Sequence, residues 1–322
     1  MRVCVLSDED FEDFDPSSYL DEYKWDIVNV KVPALDFIRR LSKQKTYDVF
    51  LNLCTGAGDE ELGIDVVQAL EILNLPFTGA DSRFYEPTRE QMQAVAEIQG
   101  VGFARGFHAV SPDELWLAKG LRYPLMVKHP NSYGSMGMTR ESRVETPAQL
   151  RKQVQRICKE FGSARVEEFI DGREFTCMVV DNPDDLSSPF AYPPAEILFP
   201  NGETFQHTEV KWDSNEMRLI PVEADLAERL QDMSKKMYLG LGGVGYGRTD
   251  IRMGPDGELH TLEINPNCGI LYQPDENGPA DVPIEFDPDG HSGFLDRIFR
   301  SAILRQQMRV PVRTRARQYA KI

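Results

Sequence analysis

The 322-residue sequence predicts a mixed α/β protein, with a small parallel α/β unit first and antiparallel strand pairs after it. Three observations carry that prediction. Arg2 to Ser7 and Tyr47 to Cys54 (Y-D-V-F-L-N-L-C) are short apolar runs without alternation, the pattern of strands buried on both faces. A loop, Thr55-Gly56-Ala57-Gly58-Asp59-Glu60, then leads into a helix around Ile64 to Leu73 and a third short strand and turn, Leu75-Pro76-Phe77-Thr78-Gly79. Near the C-terminus, apolar runs at Thr249 to Met253 and Leu259 to Ile264 flank Gly254-Pro255-Asp256-Gly257, whose residues have the chemistry of a tight turn, so the segment reads as a β-hairpin.

Composition bounds the function. Hydrophobic content of 41% with 27% charged residues is ordinary for a soluble enzyme. A net charge of −16 argues against nucleic-acid binding as the main activity. No apolar run approaches a membrane span, and Met1 to Leu6 enters a strand without a secretory leader. Five scattered cysteines without a CxxC pair fit reduced thiols of a cytoplasmic protein. The charge is uneven: Asp8 to Asp26 holds nine acids and one base, and the chain after Asp296 holds eight bases and no acid. Both runs read as solvated surfaces, with the tail beyond Met308 frayed or packed on a neighbouring surface.

The elements follow in order. Thr88 to Gln99 reads as a helix with Thr88 as N-cap and Gln91 at the capping-box spacing. Tyr123 to Lys128 is an apolar strand ending in one lysine, before a glycine-containing loop, His129 to Met138, whose backbone N–H groups can fold over phosphate oxygens. Arg165 to Ile170, then Asp171 to Val180, read as strand, turn, strand. A Pro/Ser/Asp-rich connection from Asn182 to Pro194 reads as a lobe boundary. Leu226 to Leu239 is an amphipathic helix whose Leu226, Leu230, Met233 and Met237 face the core.

Strand alternation gives the hairpin its chemistry. Arg248 and Asp250 share one face of its first strand, and Glu263 and Asn265 one face of its second. If the faces coincide, a guanidinium, two carboxylates and an amide oxygen converge, and oxygen ligands of that type suit Mg²⁺ together with nucleotide phosphates. The alternative is a surface hairpin with solvated charges.

R-x-D, hairpin, L-E-I-N-P and Cys268-Gly269, taken with the V-K…G-S-x-G and L-P-F-T-G segments in this order, resemble the ATP-grasp ligases, specifically the D-alanine–D-alanine ligase branch, from about Val49 to Leu295. The resemblance implies an ATP-grasp fold with three parts: residues 1–88 as an N-terminal α/β substrate domain, 89–181 as a central lobe, and 182–322 as a C-terminal lobe with metal and catalytic residues. It implies ATP with two Mg²⁺ ions, or Mn²⁺, held by Asp250, Glu263 and Asn265. Lys128 and Ser135 take phosphates, and Lys211, in a closing loop from Phe205 to Met217, meets the γ-phosphate. Backbone between Glu167 and Ile170 hydrogen-bonds adenine, with Phe169, Ile170, Leu262 and Phe205 lining its slot and Glu174 taking the ribose; Phe169 and Ile170 read equally as core. Arg248 and the Gly269 N–H stabilise the oxyanion. The activity so implied is amide-bond formation between a carboxylate and an amine, amino acids in the first instance, through an acyl phosphate. Many relatives pair through the N-terminal domain, which raises a homodimer here.

The sequence also departs from the family. Gln91 stands where a phosphate-reaching lysine is usual, and Arg89 is near enough to be considered as its substitute. Ser7 to Glu12 replaces the G-G-x-S-x-E substrate loop, Cys54 replaces a histidine, and Pro274 falls where a Ser-Leu pair binds the second substrate. The ATP machinery is therefore expected with different substrates, and the acidic loop at Asp8, Glu9 and Asp10 is a candidate for recognising an amino-bearing one. Cys54 and Cys268 read as small buried residues. The competing reading is an ATP-binding sensor or interaction module of the same fold without ligation.

Overall fold

The computed structural model describes residues 1–7, 16–54, 62–131, 134–200, 202–208, 210, 217–274 and 278–309. The first sheet is parallel. Strand β1 (Arg2–Ser7) lies between β2 (Lys24–Asn29) and β3 (Val49–Asn52), with Val3 opposite Trp25 and Val49. Helix α1 (Ala34–Gln44) and α2 (Leu62–Ile72) complete this unit. Its continuous apolar strand is explained by two cores. Cys4 and Leu6 pack with Ile38 and Leu70, whereas Val3 and Val5 pack with Ile298 and Phe299 from the far end of the chain. The expected third strand is a single parallel bridge, Phe50 to Phe77, because Pro76 has no N–H to give a ladder and Gly79 turns the chain at φ 86°.

Helix α3 (Arg89–Gln99) begins in a complete capping box. Thr88 accepts from the Gln91 N–H, and the Gln91 side chain accepts from the Thr88 N–H at 2.7 Å. Gly100 ends the helix in the left-handed region. Strand β4 (Gly102–Phe103) and β5 (Gly106–Ala109) follow, then β6 (Leu125–Lys128), β7 (Arg143–Val144), α4 (Pro147–Phe161) and β8 (Ala164–Glu168). A four-stranded antiparallel sheet runs β5-β8-β6-β7. Leu150, Val154 and Ile157 of α4 cover it through Leu125, Val127 and Val166.

Next come β9 (Arg173–Val180), β10 (Phe190–Ala191), β11 (Ala195–Leu198), β12 (Arg218–Pro221), α5 (Ala224–Gly240), β13 (Tyr246–Met253) and β14 (Leu259–Asn265). They form a seven-stranded sheet in the order β12-β11-β9-β13-β14-β4, with β10 pairing β9. The step between the two larger sheets falls at Gly172, where φ is 151° and a Cβ would stand 2.1 Å from the Met253 carbonyl oxygen. The Asn182–Pro194 connection joins strands of one sheet, since β9 pairs with both β10 and β11.

Helices α6 (Asp281–Glu285) and α7 (Gly290–Met308) close the described chain, and α7 lays Phe294, Ile298 and Phe299 on the first sheet. Its basic residues are only partly the solvated run expected. The Arg305 Nη2 donates to buried Asp181 at 2.6 Å, and Arg309 donates to the Leu75 carbonyl at 3.0 Å, because the acids and carbonyls of neighbouring elements face them. Among the described residues no helix is long and apolar enough to cross a membrane.

Candidate active site

The four-stranded and seven-stranded sheets face each other across a cleft that encloses about 810 Å³ of empty space, counting its solvent-open mouth. The four-stranded sheet supplies Lys128 from the end of β6 and Glu167 from β8; the seven-stranded sheet supplies Glu174, Arg248, Asp250 and Glu263. The hairpin register explains the second group. Arg248 pairs with Asn265 and Asp250 with Glu263, so all four project on one face, as alternation requires. The tight turn has the expected residues, with Gly257 donating to the Gly254 carbonyl at 3.0 Å.

One irregularity re-aims that face. The register steps from Asp250 opposite Glu263 to Ile251 opposite Thr261, so Leu262 is the extra residue of a β-bulge. Consecutive residues Leu262 and Glu263 therefore both line the cleft, which strict alternation forbids. The bulge also frees the Leu262 carbonyl, which accepts from the Arg89 Nη1 at 2.9 Å.

The cleft is charge-compensated. Arg248 binds Asp250 at two points, Nε to Oδ1 at 3.0 Å and Nη2 to Oδ2 at 2.9 Å, and the Thr176 hydroxyl donates to the same Oδ1. Burial pushes the Arg248 pKa down, but Asp250 more than reverses this and holds it above the usual arginine value. Lys128 Nζ sits 2.5 Å from Glu167, which Arg165 also contacts at 3.2 Å. Burial lowers the Lys128 pKa from its ordinary value. Burial pushes the Glu167 carboxyl up, and Lys128, Arg165 and Arg89 overcome it, leaving the group below the usual range. Glu263 is paired with Arg89; burial raises its pKa, while Arg89, Lys128 and Arg248 bring it below the ordinary value.

At the other end of the cleft, Phe169 and Phe205 meet edge to face with centroids 5.9 Å apart, and Met126 packs with both. Arg252 was not among the expected site residues. It lies over the Phe169 ring at 4.8 Å, donates to Glu174 at 2.8 Å and to the Ile170 carbonyl at 2.6 Å, and also bonds the Thr204 carbonyl. Its signal was present in the alternation Arg248, Asp250, Arg252 along one strand. Glu174 is held from the other side by Gln206 Nε2 at 2.9 Å. Several hinge groups already have partners: the Glu168 N–H bonds Arg105, the Phe169 N–H bonds Pro124, and the Ile170 carbonyl takes Arg252.

Ser135 lies at the cleft wall with φ 61°, between Gly134 at 73° and Gly137 at 68°. The Thr208 hydroxyl donates to the Ser135 carbonyl at 3.3 Å and ties this loop to the segment after Phe205. Lys211 lies outside the described residues, as do Asp8, Glu9 and Asp10.

Asn265, opposite Arg248 on the hairpin, and Gly269 are not among the residues that line the main cleft. The Asn265 Oδ1 accepts from the Asn267 N–H at 3.0 Å. Gly269 lines a smaller cavity with Cys54, Cys268, Asn52 and Tyr246, and a Cβ there would meet the Tyr272 hydroxyl at 2.4 Å. Both cysteines are buried, and burial pushes the Cys268 thiol up to about 12, so it is an inert packing group at neutral pH.

A family model described as D-ala D-ala ligase C-terminus matches residues 108–272. The chain belongs to that D-alanine–D-alanine ligase family. A D-alanine–D-alanine ligase of Lactococcus lactis subsp. cremoris (strain SK11) is 28% identical over 206 residues, 61% of this chain and 57% of that one. The alignment thus spans little more than half of that relative. Among solved structures, the D-alanine-D-alanine ligase from Coxiella burnetii superimposes with a TM-score of 0.72 at 18% identity, covering 100% of this chain and 99% of that one. The D-alanine–D-alanine ligase from Bacillus anthracis complexed with ATP gives 0.71 at 18% identity, covering 96% and 98%. These likenesses show the ATP-grasp fold of the family over nearly the whole chain.

Proposed function

We propose that the protein is an ATP-dependent carboxylate–amine ligase that forms an amide or peptide bond through an acyl phosphate, as a member of the D-alanine–D-alanine ligase family with substrates of its own. The observation that carries this reading is the placement of Arg248, Asp250 and Glu263 on one hairpin face across a cleft from Lys128. A mere nucleotide binder has no use for an arginine held rigidly among acids beside the phosphate end.

Nucleotide orientation follows from the two ends of the cleft. Phe169, Phe205, Ile170 and Leu262 form the apolar slot for the base, with Glu174 toward the ribose. Lys128, the Ser135 loop and Lys211 are assigned to the phosphates. The donor set suits Mg²⁺, being two carboxylates and an amide oxygen from Asp250, Glu263 and Asn265. Among the described residues no group of three or more His, Cys, Asp or Glu side chains is placed to hold a metal, and these donors would hold Mg²⁺ together with phosphate oxygens and waters. When bound, Mg²⁺ neutralises charge on the β- and γ-phosphate oxygens.

The chemistry addresses the poor electrophilicity of a carboxylate. A substrate carboxylate oxygen attacks the γ-phosphorus, the bond to the bridging oxygen breaks, and ADP leaves. The amine then attacks the acyl carbon and loses a proton, and phosphate departs. Arg248, with the Gly269 N–H, is assigned to the negative charge that builds on the carbonyl oxygen. Closure over the site, which would keep water from the acyl phosphate, is assigned to the segment from Phe205 to Met217, of which residues 209 and 211–216 lie outside the described ones.

Departures at Ser7 to Glu12, Cys54 and Pro274 support substrates other than two D-alanines, amino acids being the first class to test. The three sheets support a division into an N-terminal substrate domain and two lobes that grip the nucleotide, and thiols at all five cysteines accord with a cytoplasmic setting. Incubation with ATP, Mg²⁺ and pooled amines and carboxylates tests the reading. Phosphate release that needs both substrate classes supports ligation; nucleotide binding without release supports the sensor or interaction module instead.

A further inference from the structure

The family lysine position is filled by Gln91, and the structure accounts for that residue fully as a helix cap. Its side chain accepts from the Thr88 N–H at 2.7 Å, and it is exposed on the outer turn of α3. Two residues earlier the same helix carries Arg89, which is 2% exposed and lines the cleft. The Arg89 backbone N–H donates to Asn131 Oδ1 at 3.3 Å, fixing it beside the segment that follows Lys128.

A cation is badly placed in the first turn of a helix, where the dipole is positive, and burial adds a desolvation cost. Helix stability therefore gives no reason for an arginine here. Its neighbours do: Arg89 shares the cleft with Lys128, and each of the two leans on one acid, Glu263 and Glu167 respectively. Two buried cations that face one cleft, each balanced by a single acid, still present donors that a polyanion can take. The bulge at Leu262 supplies the fixed point. Arg89 Nη1 is anchored on the Leu262 carbonyl while Nη2 holds Glu263. A planar guanidinium with five donors can keep the first bond and pass the second edge to a phosphate.

We propose that Arg89 is a nucleotide-binding residue of this protein: anchored on the Leu262 carbonyl, it supplies to the polyphosphate the cation that Gln91 does not. The proposal rests on the ligase reading above, in which the cleft takes a nucleoside triphosphate.

The test is calorimetric binding of adenosine and ADP to the full chain, with divalent metals chelated so that phosphate–protein contacts are read directly. Arg89→Met is expected to weaken ADP about tenfold or more, in keeping with a lost charge-assisted hydrogen bond. Adenosine affinity stays within about twofold, and Gln91→Ala changes neither ligand by more than that. An unchanged ratio of ADP to adenosine affinity in Arg89→Met, or a Gln91→Ala loss as large, overturns the proposal. Should Arg89→Met fail to fold, Arg89→Gln in a Glu263→Gln background leaves no lone buried charge, and the same tenfold loss is expected relative to Glu263→Gln alone. Wild-type protein that binds neither ligand overturns the ligase reading itself, whereas wild type that prefers ADP while Arg89 variants keep that preference overturns only the role of Arg89.

Discussion

Arg248 and Asp250, two residues apart on one strand, close a two-point ion pair, with Nε to Oδ1 at 3.0 Å and Nη2 to Oδ2 at 2.9 Å. A guanidinium so fixed cannot reorient during a reaction, which is what electrostatic stabilisation of a developing charge requires. Arg248→Ala should therefore lower kcat by one or more orders of magnitude with nucleotide affinity nearly intact. Paired measurements of turnover and ADP dissociation check this. An equal fall in both would place Arg248 in binding instead.

The Lys128–Glu167 pair should be visible in acid. The Glu167 pKa is depressed in the folded state, so its contribution to stability is complete above the unfolded carboxylate value of ~4.3 and is lost as pH falls through the folded value. Lys128→Met/Glu167→Gln removes the titrating group together with its partner. Between about pH 5.5 and pH 3.5 the double variant should lose less stability than wild type in denaturant titrations. Parallel profiles would show that Glu167 titrates alike in both states.

Gly172, where the chain passes from β8 to β9, has φ 151° and leaves no room for a Cβ against the Met253 carbonyl. Gly172→Ala should cost more than about 2 kcal/mol, from backbone strain together with the clash. Chemical denaturation measures it; a change within about 0.5 kcal/mol would mean that the hinge adjusts freely.

Arg252 joins the hinge carbonyl of Ile170, the carboxylate of Glu174 and the carbonyl of Thr204. Arg252→Met leaves Glu174 buried without that cation, and loss of one partner of a buried pair costs about 3–5 kcal/mol. We expect a destabilisation of that order and a weaker adenosine complex. Stability and adenosine affinity both at wild-type level would assign Arg252 to neither task.

Much of this site could be read in the chain, for identifiable reasons. The Thr88 capping box and the Gly254–Gly257 turn are local, and alternation along β13 is enough to put Arg248 and Asp250 on one face. What escaped depends on distant partners. The bulge at Leu262 arises from pairing between two strands and has no mark in either one. Strand β2 was hidden because Lys24 and Asp26 belong to an acidic run, and only pairing with β1 shows it as a strand. Arg305 and Arg309 read as solvated until Asp181 and the Leu75 carbonyl, far away in sequence, are brought to them. Arg89 was legible as a neighbour of the family lysine position, but its burial against Glu263 was not.

The central claim is that this cleft activates a carboxylate as its acyl phosphate. Carboxylates labelled with ¹⁸O, supplied with ATP, Mg²⁺ and a pool of amines, test it most directly. The account predicts that released phosphate carries one ¹⁸O atom, that release needs the amine, and that Arg248→Ala suppresses it. Phosphate released without label, or ATP bound with no release under any substrate pair, would contradict it.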